Sequence, residues 1–135
     1  RQQGLAEGIP WFYKGAKMCL LWPAWERAFP EARWIFVCRK PEDIASSCLR
    51  TSFMRAYRSE AGWLNWVKAH EARRLEMVGA GLAMRCVSSA RIVSGDLSEI
   101  EEAIVWAGLS FNADGVREFV DPALWHGGKE EWLHE

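Results

Sequence analysis

The clearest strand pattern lies at residues 33–38, where the sequence reads RWIFVC. Consecutive apolar residues without polar alternation are typical of a central strand that is buried on both faces. Two shorter runs, WFYK at 11–14 and ARIVSGD at 90–96, also favour strands because they contain aromatic or β-branched residues. The pattern therefore predicts three strands.

Between and after these runs, apolar residues recur at the three- and four-residue spacing of amphipathic helices. The first such segment contains Pro23, which is expected to break or begin a helix. The longest segment ends at Gly79 and Gly81, and a later one stops at Gly108. The predicted helices cover residues 16–29, 41–57, 59–81, 98–107 and 112–122.

Two of the predicted helices carry local start signals. Pro41 suits a first helical turn, where its missing N–H costs nothing, and Glu42 and Asp43 then favour the helix dipole. Ser98 and Glu101 have the spacing of a capping box, with Ser98 as the N-cap.

Strands that alternate with helices predict an α/β fold with a short parallel sheet flanked by helices. The 135 residues suit one domain, 1–135, in which residues 1–10 and 129–135 are expected to be loosely ordered. Sheets of this kind bind ligands beyond the carboxyl ends of their strands. A functional site is therefore expected where the strand at 33–38 ends.

Composition and charge narrow the function classes. The net charge of −1 argues against a nucleic-acid protein that uses a broad basic surface. No apolar run approaches the length of a membrane span, and no signal-peptide pattern opens the chain. The chain starts with Arg1 rather than Met, so it is expected to be a fragment or a processed product.

Four cysteines, at 19, 38, 48 and 86, form no C-x-x-C pair, which argues against a structural zinc site. Buried, reduced thiols of a cytoplasmic protein are favoured over disulfides, and no metal is expected. The nine tryptophans are interpreted mostly as core and groove walls, with a few lining a ligand pocket.

Arg39 stands at the junction between the best strand and the helix that begins at Pro41. A helix N-terminus favours an anion, and a guanidinium is a planar fork of donors suited to phosphate. Ser47 could add a hydroxyl from the same helix. The alternative is that Arg39 only pairs with a nearby carboxylate, such as Glu42 or Asp43.

The segment FPEARWIFVCRKPEDIASSCLRT closely resembles the second nucleotide-binding motif of sulfotransferases that use 3′-phosphoadenosine 5′-phosphosulfate (PAPS). The shared features are a proline turn, an apolar strand, Arg39, Pro41, Asp43 and Ser47. The segments at 11–25, 91–109 and 119–128 resemble other parts of bacterial members. The likeness thus spans roughly residues 11 to 128.

The resemblance implies a partial P-loop-NTPase-like layered fold in which Arg39 and Ser47 grip the 3′-phosphate of PAPS or adenosine 3′,5′-bisphosphate. It implies transfer of a sulfuryl group to a hydroxyl or amine of an unidentified acceptor. Lys14 and His126 are the candidates for catalytic roles, since Lys14 matches a family lysine and His126 lies in the glycine-rich stretch WHGGK.

The family's N-terminal phosphate loop, a Gly- and Ser/Thr-rich turn after a strand, has no counterpart in this sequence. Two functions therefore stay open. The chain is a sulfotransferase whose phosphate loop is supplied elsewhere, or it is an inactive nucleotide-binding or interaction module. In the second case a homodimer could cover the open sheet edge.

Overall fold

A computed structural model describes residues 10–125. In this part of the chain, helices surround a parallel sheet of two strands, β1 (Trp34–Cys38) and β2 (Met84–Ser88). The α-helices are α1 (Trp22–Ala28), α2 (Pro41–Arg50), α3 (Glu60–Gly79), α4 (Ser89–Val93), α5 (Ser98–Trp106) and α6 (Ala113–Phe119). Short 3₁₀ helices occupy Met18–Leu21 and Pro122–Leu124. The α/β class and the parallel sheet flanked by helices are thus confirmed.

The crossover between the two strands consists of α2 and α3, which pack against each other. Ala45 and Cys48 on α2 contact Trp63 on α3, whose side chain is only 2% exposed. Parallel strands need a long crossover, and packing of the crossover helices supplies the apolar burial that a two-strand sheet lacks.

Helix α3 has a capped start, and its end follows the predicted glycine signal. The Ser59 hydroxyl accepts a hydrogen bond from the Gly62 backbone N–H at 3.2 Å, which caps the start. At the other end, Gly81 adopts a φ of +75°, a conformation that favours glycine. The Leu82 N–H then donates to the Met77 carbonyl at 3.2 Å and closes the helix.

The predicted strand at 11–14 is wrong, because these residues have no strand pairing. Two of their three aromatic rings pack against α1 and its C-cap residue Phe29 instead. Trp11 meets Phe29 edge to face at 5.1 Å, and Tyr13 stacks on Trp25 at 5.5 Å. Contacts with a helix surface therefore outweigh the β propensity of these residues.

The predicted strand at 90–96 is also wrong, since β2 ends at Ser88 and α4 follows at once. The Ser88 hydroxyl accepts from the Arg91 N–H at 3.3 Å and caps α4. The Arg91 guanidinium pairs with Asp96 at 2.5 Å and with Glu99 at 2.6 Å. These side-chain contacts hold the segment in a helical turn despite its β-branched residues.

The predicted capping box is wrong, because Ser98 is the first residue of α5 and Leu97 is its N-cap. The Asp96 side chain accepts the hydrogen bonds at the start of α5 instead. Its Oδ1 accepts from the Ser98 backbone N–H at 3.1 Å and from the Ser98 hydroxyl at 2.7 Å. The stop at Gly108 is confirmed by its φ of +82°.

Helix α2 ends at Arg50, seven residues before the predicted end at 57. Thr51 adopts extended backbone angles, and its hydroxyl donates to the Ser47 carbonyl at 2.8 Å. That bond satisfies a carbonyl of the last turn and stops the helix there.

The expectation that β1 is buried on both faces is wrong. Helix α5 packs against β2, and Val87 is fully buried there. Val37 lies opposite Val87 in the register but is 66% exposed. The helices therefore shield β2 from solvent better than they shield β1.

None of the helices within residues 10–125 has the length and apolar character that a membrane-spanning helix needs.

Trp63→Ala tests the crossover packing. Removal of this buried side chain is expected to lower the free energy of unfolding by about 3–5 kcal/mol, measured by urea denaturation. Phe53→Ala is the control, since Phe53 is 79% exposed, and it should change stability by less than about 0.5 kcal/mol. Equal losses in the two variants would contradict this core.

Asp96→Asn tests the contacts around α4. Hydrogen bonds from Ser98 and Arg91 lower the pKa of Asp96 to about 2 from 3.8. Because the folded pKa is lowered, the stabilisation is present above about pH 4 and is lost as pH falls towards 2. The stability difference between the native chain and Asp96→Asn should shrink over that range in denaturation curves. A difference that is constant with pH would contradict the contact.

Candidate anion site at the end of strand β1

The carboxyl end of β1 meets the start of α2 within three residues. Cys38 ends the strand, Arg39 follows, and Lys40 is the N-cap of α2 with extended backbone angles. The Lys40 side chain makes no capping hydrogen bond to this helix start. The start of α2 therefore presents the positive end of a helix dipole beside Arg39.

The neighbouring strand ends at the same edge, as parallel pairing requires. Cys38 lies opposite Ser88, and the Ser89 hydroxyl donates to the Cys38 carbonyl at 3.1 Å. This bond ties the start of α4 to the end of β1. The backbone that presents Arg39 is thereby held from both strands.

The Arg39 side chain is half-buried and meets an aromatic ring. Its Cζ lies 4.2 Å from the centroid of the Trp125 ring, within the range of a cation–π contact. Its Nε is buried and has no hydrogen-bond partner within residues 10–125. Arg39 takes part in none of the ion pairs found among residues 10–125. The alternative, in which Arg39 pairs with Glu42 or Asp43, is therefore not what the structure shows.

Ser47 lies two turns into α2, about 9 Å along the helix axis from Pro41. Its carbonyl accepts from the Thr51 hydroxyl, and within residues 10–125 its own hydroxyl makes no hydrogen bond. The next arginine, Arg50, donates instead to the Ser46 hydroxyl at 2.6 Å. Ser47 therefore keeps a donor available on this helix.

The charge of Arg39 reaches the middle of α2. Burial raises the pKa of Cys48, and the positive charge of Arg39 acts against that rise. Cys48 is the residue after Ser47. Among the described residues no contact joins Arg39 to Ser47, and neighbouring helix residues such as Ser47 and Cys48 point about 100° apart.

Of the two catalytic candidates, only Lys14 lies within the described residues, and no contact there joins it to this edge. Lys14 is exposed, lies before the first 3₁₀ helix, and is absent from the ion pairs of that part. His126 lies outside the described residues. Residues 10–125 contain no group of three or more His, Cys, Asp or Glu side chains that could hold a metal ion.

Trp125 is the site residue that sequence reasoning missed. Asp121 accepts a hydrogen bond from the Ala123 N–H at 2.9 Å and starts the 3₁₀ helix Pro122–Leu124. That turn delivers Trp125 to Arg39. The high tryptophan content suggested that some rings line a pocket, but no local pattern distinguishes this one from the other eight.

Comparisons with models of known protein families, with curated proteins and with solved structures found no match for this chain.

A double-mutant cycle tests the Arg39–Trp125 contact. The losses of unfolding free energy in Arg39→Ala and Trp125→Ala should together exceed the loss in the double variant by about 0.5–2 kcal/mol. The reason is that either single substitution already removes the partly desolvated cation–π contact. Urea denaturation measures each value. Strict additivity would show that the two side chains do not interact.

Proposed function

We propose that this chain binds the 3′-phosphate of PAPS or adenosine 3′,5′-bisphosphate through Arg39 and Ser47. The fold would then be part of a P-loop-NTPase-like layered structure of the sulfotransferase kind. The observation that supports the proposal most strongly is the set of contacts that the Arg39 side chain makes and lacks. Its guanidinium stands at the carboxyl end of a parallel strand, has no carboxylate partner in residues 10–125, and keeps one buried donor unsatisfied.

The buried Nε of Arg39 favours a ligand over a purely structural role. A buried donor without an acceptor costs free energy, and a charged donor costs more than a neutral one. A phosphate oxygen would supply that acceptor and compensate the charge. The flat guanidinium could then use its outer edge for a second bond to the same phosphate.

Trp125 supports this use of Arg39 in two ways. Its ring lies 4.2 Å from the Arg39 Cζ, so fewer side-chain orientations remain available. The ring offers no carboxylate or carbonyl acceptor, so the guanidinium still needs acceptors for its N–H groups. Arg39 is thus oriented while its hydrogen-bonding edge stays available.

The start of α2 and Ser47 would complete the site. The helix start favours negative charge, and the Ser47 hydroxyl can donate one further bond. Because Ser47 lies about 9 Å along the axis, a phosphate held by both residues would lie beside the first two turns of α2.

These residues would bind the nucleotide but would not perform the transfer. In the proposed reaction, an acceptor hydroxyl or amine attacks sulfur in line, and adenosine 3′,5′-bisphosphate leaves. The transition state needs donors around the moving group, as in phosphoryl transfer. A phosphate loop would supply them, with Lys14 or His126 as further candidates.

A second function, an interaction module without transfer activity, is favoured by the open sheet. The described residues provide only two strands, and Val37 on β1 is 66% exposed. An exposed apolar strand beside an unpaired edge is a template for pairing with another chain. A second copy of this chain could cover it.

A thermal-shift titration tests phosphate binding. Adenosine 3′,5′-bisphosphate should raise the melting temperature more than 5′-AMP, which lacks the 3′-phosphate, because Arg39 recognises that group. Saturation at 100 times Kd corresponds to about 2.7 kcal/mol of added stability. The ligand-induced shift should disappear in Arg39→Ala and be reduced in Arg39→Lys, which keeps the charge but loses the fork.

Arg50→Ala is the matched control, since Arg50 lies on α2 but donates to Ser46. It should keep the full ligand-induced shift. An unchanged melting temperature at millimolar ligand, or the same shift in Arg39→Ala as in the native chain, would contradict the proposal. Transfer of labelled sulfuryl from PAPS to added hydroxyl or amine acceptors would then separate enzyme from module.

A further inference from the structure

Two thiols from neighbouring strands lie on one face of the sheet. The register pairs Phe36 with Cys86 and Cys38 with Ser88. Side chains alternate along each strand, so Cys38 and Cys86 point to the same side, two register positions apart. All four cysteines are free thiols, and both members of this pair are only half-buried, whereas Cys19 and Cys48 are buried.

Helix α3 places a cation beside this pair. Arg74 Nη1 donates to the Cys86 sulfur at 3.7 Å, and Arg74 Nε donates to Glu71 at 2.9 Å. Glu71 thereby orients the guanidinium, although its negative charge acts against a thiolate. A positive charge within hydrogen-bonding reach is the usual reason that a protein thiol becomes a good nucleophile.

The two sulfurs differ in how readily they lose a proton. The neighbouring Cys38 thiol and the charge of Arg74 lower the pKa of Cys86, although burial and Glu71 act in the opposite direction. The proximity of Cys86 and burial raise the pKa of Cys38. Of the two thiols, Cys86 is therefore the one that deprotonates first.

We propose that Cys86 is a site of covalent modification by oxidants and soft electrophiles, activated by Arg74 and Cys38. The inference stands independently of nucleotide binding. It follows from three contributions that converge on one sulfur: a neighbouring thiol from β1, a guanidinium from α3, and only partial burial.

The oxidation step is a displacement at oxygen. The Cys86 thiolate attacks one oxygen of hydrogen peroxide, an S–O bond forms, the O–O bond breaks, and hydroxide leaves. Sulfur is oxidised to a sulfenic acid, and the peroxide is reduced to water once the hydroxide takes up a proton. Alkylation by iodoacetamide follows the same course, with an S–C bond formed and iodide displaced.

A cross-strand disulfide is not the expected product. Diagonal neighbours in a sheet have Cα atoms about 7–8 Å apart, whereas disulfides prefer about 4.4–6.8 Å. Cys38 therefore acts as a hydrogen-bond donor that stabilises the thiolate, and Cys86 carries the modification.

The other two cysteines are internal controls within the same molecule. Cys19 and Cys48 are buried, and burial raises the pKa of each. Brief iodoacetamide labelling of the folded chain, read by peptide mass spectrometry, should modify Cys86 ahead of both. Its labelling rate should reach its midpoint at a lower pH than the rates of Cys19 and Cys48. Peroxide followed by a sulfenic-acid trap such as dimedone should mark the same residue.

Arg74→Gln and Cys38→Ala, each checked for folding by circular dichroism, should move the midpoint towards the ordinary thiol value. At pH 6 each variant should contain less Cys86 thiolate, although the thiolate that remains is more nucleophilic. The expected net effect is a fall in the labelling rate of Cys86 of about tenfold. Arg73→Gln is the matched control, since Arg73 pairs with Glu76 on the same helix. If Cys86 in the native chain is labelled no faster than Cys19 and Cys48 at pH 6, the proposal is wrong.

Discussion

The parallel pairing of β1 with β2 is the constraint on which the rest of the described structure depends. Parallel strands cannot be joined by a tight turn, so the chain must cross over through α2 and α3. The crossover brings both carboxyl ends to one edge. There Arg39 leaves β1, and the Ser89 hydroxyl bonds the Cys38 carbonyl. The candidate site and the packing of Trp63 thus have one topological cause.

A sheet of two strands buries little by itself, and the helices compensate for this. Trp63 is enclosed between α2 and α3, and α5 covers Val87 on β2. The cover is uneven, as the exposure of Val37 shows. The exposed part of β1 weakens the sheet as an isolated unit. It is also the surface that an interaction module would use.

Local signals predicted those elements whose ends are decided locally. The proline start of α2, the glycine end of α3 and the stop at Gly108 depend on backbone preferences that are visible in a few residues. The strand predicted at 90–96 failed because contacts outside that run decided the outcome. Ser88 caps α4, and Arg91 is held by two carboxylates, so a β-prone sequence is helical.

The candidate site likewise contains residues that local sequence predicted and residues that it did not. Arg39 and the α2 start were predictable because they are adjacent in sequence. Trp125 was not, since it meets Arg39 only through folding, and neither was the approach of Arg74 to Cys86. The account's central claim, that Arg39 holds a phosphate, can be examined at the atom that carries it. The Nε–Hε signal of Arg39 in ¹⁵N NMR should shift on addition of adenosine 3′,5′-bisphosphate while that of Arg50 stays in place. Saturation of the protein with the Arg39 signal unchanged would contradict the account.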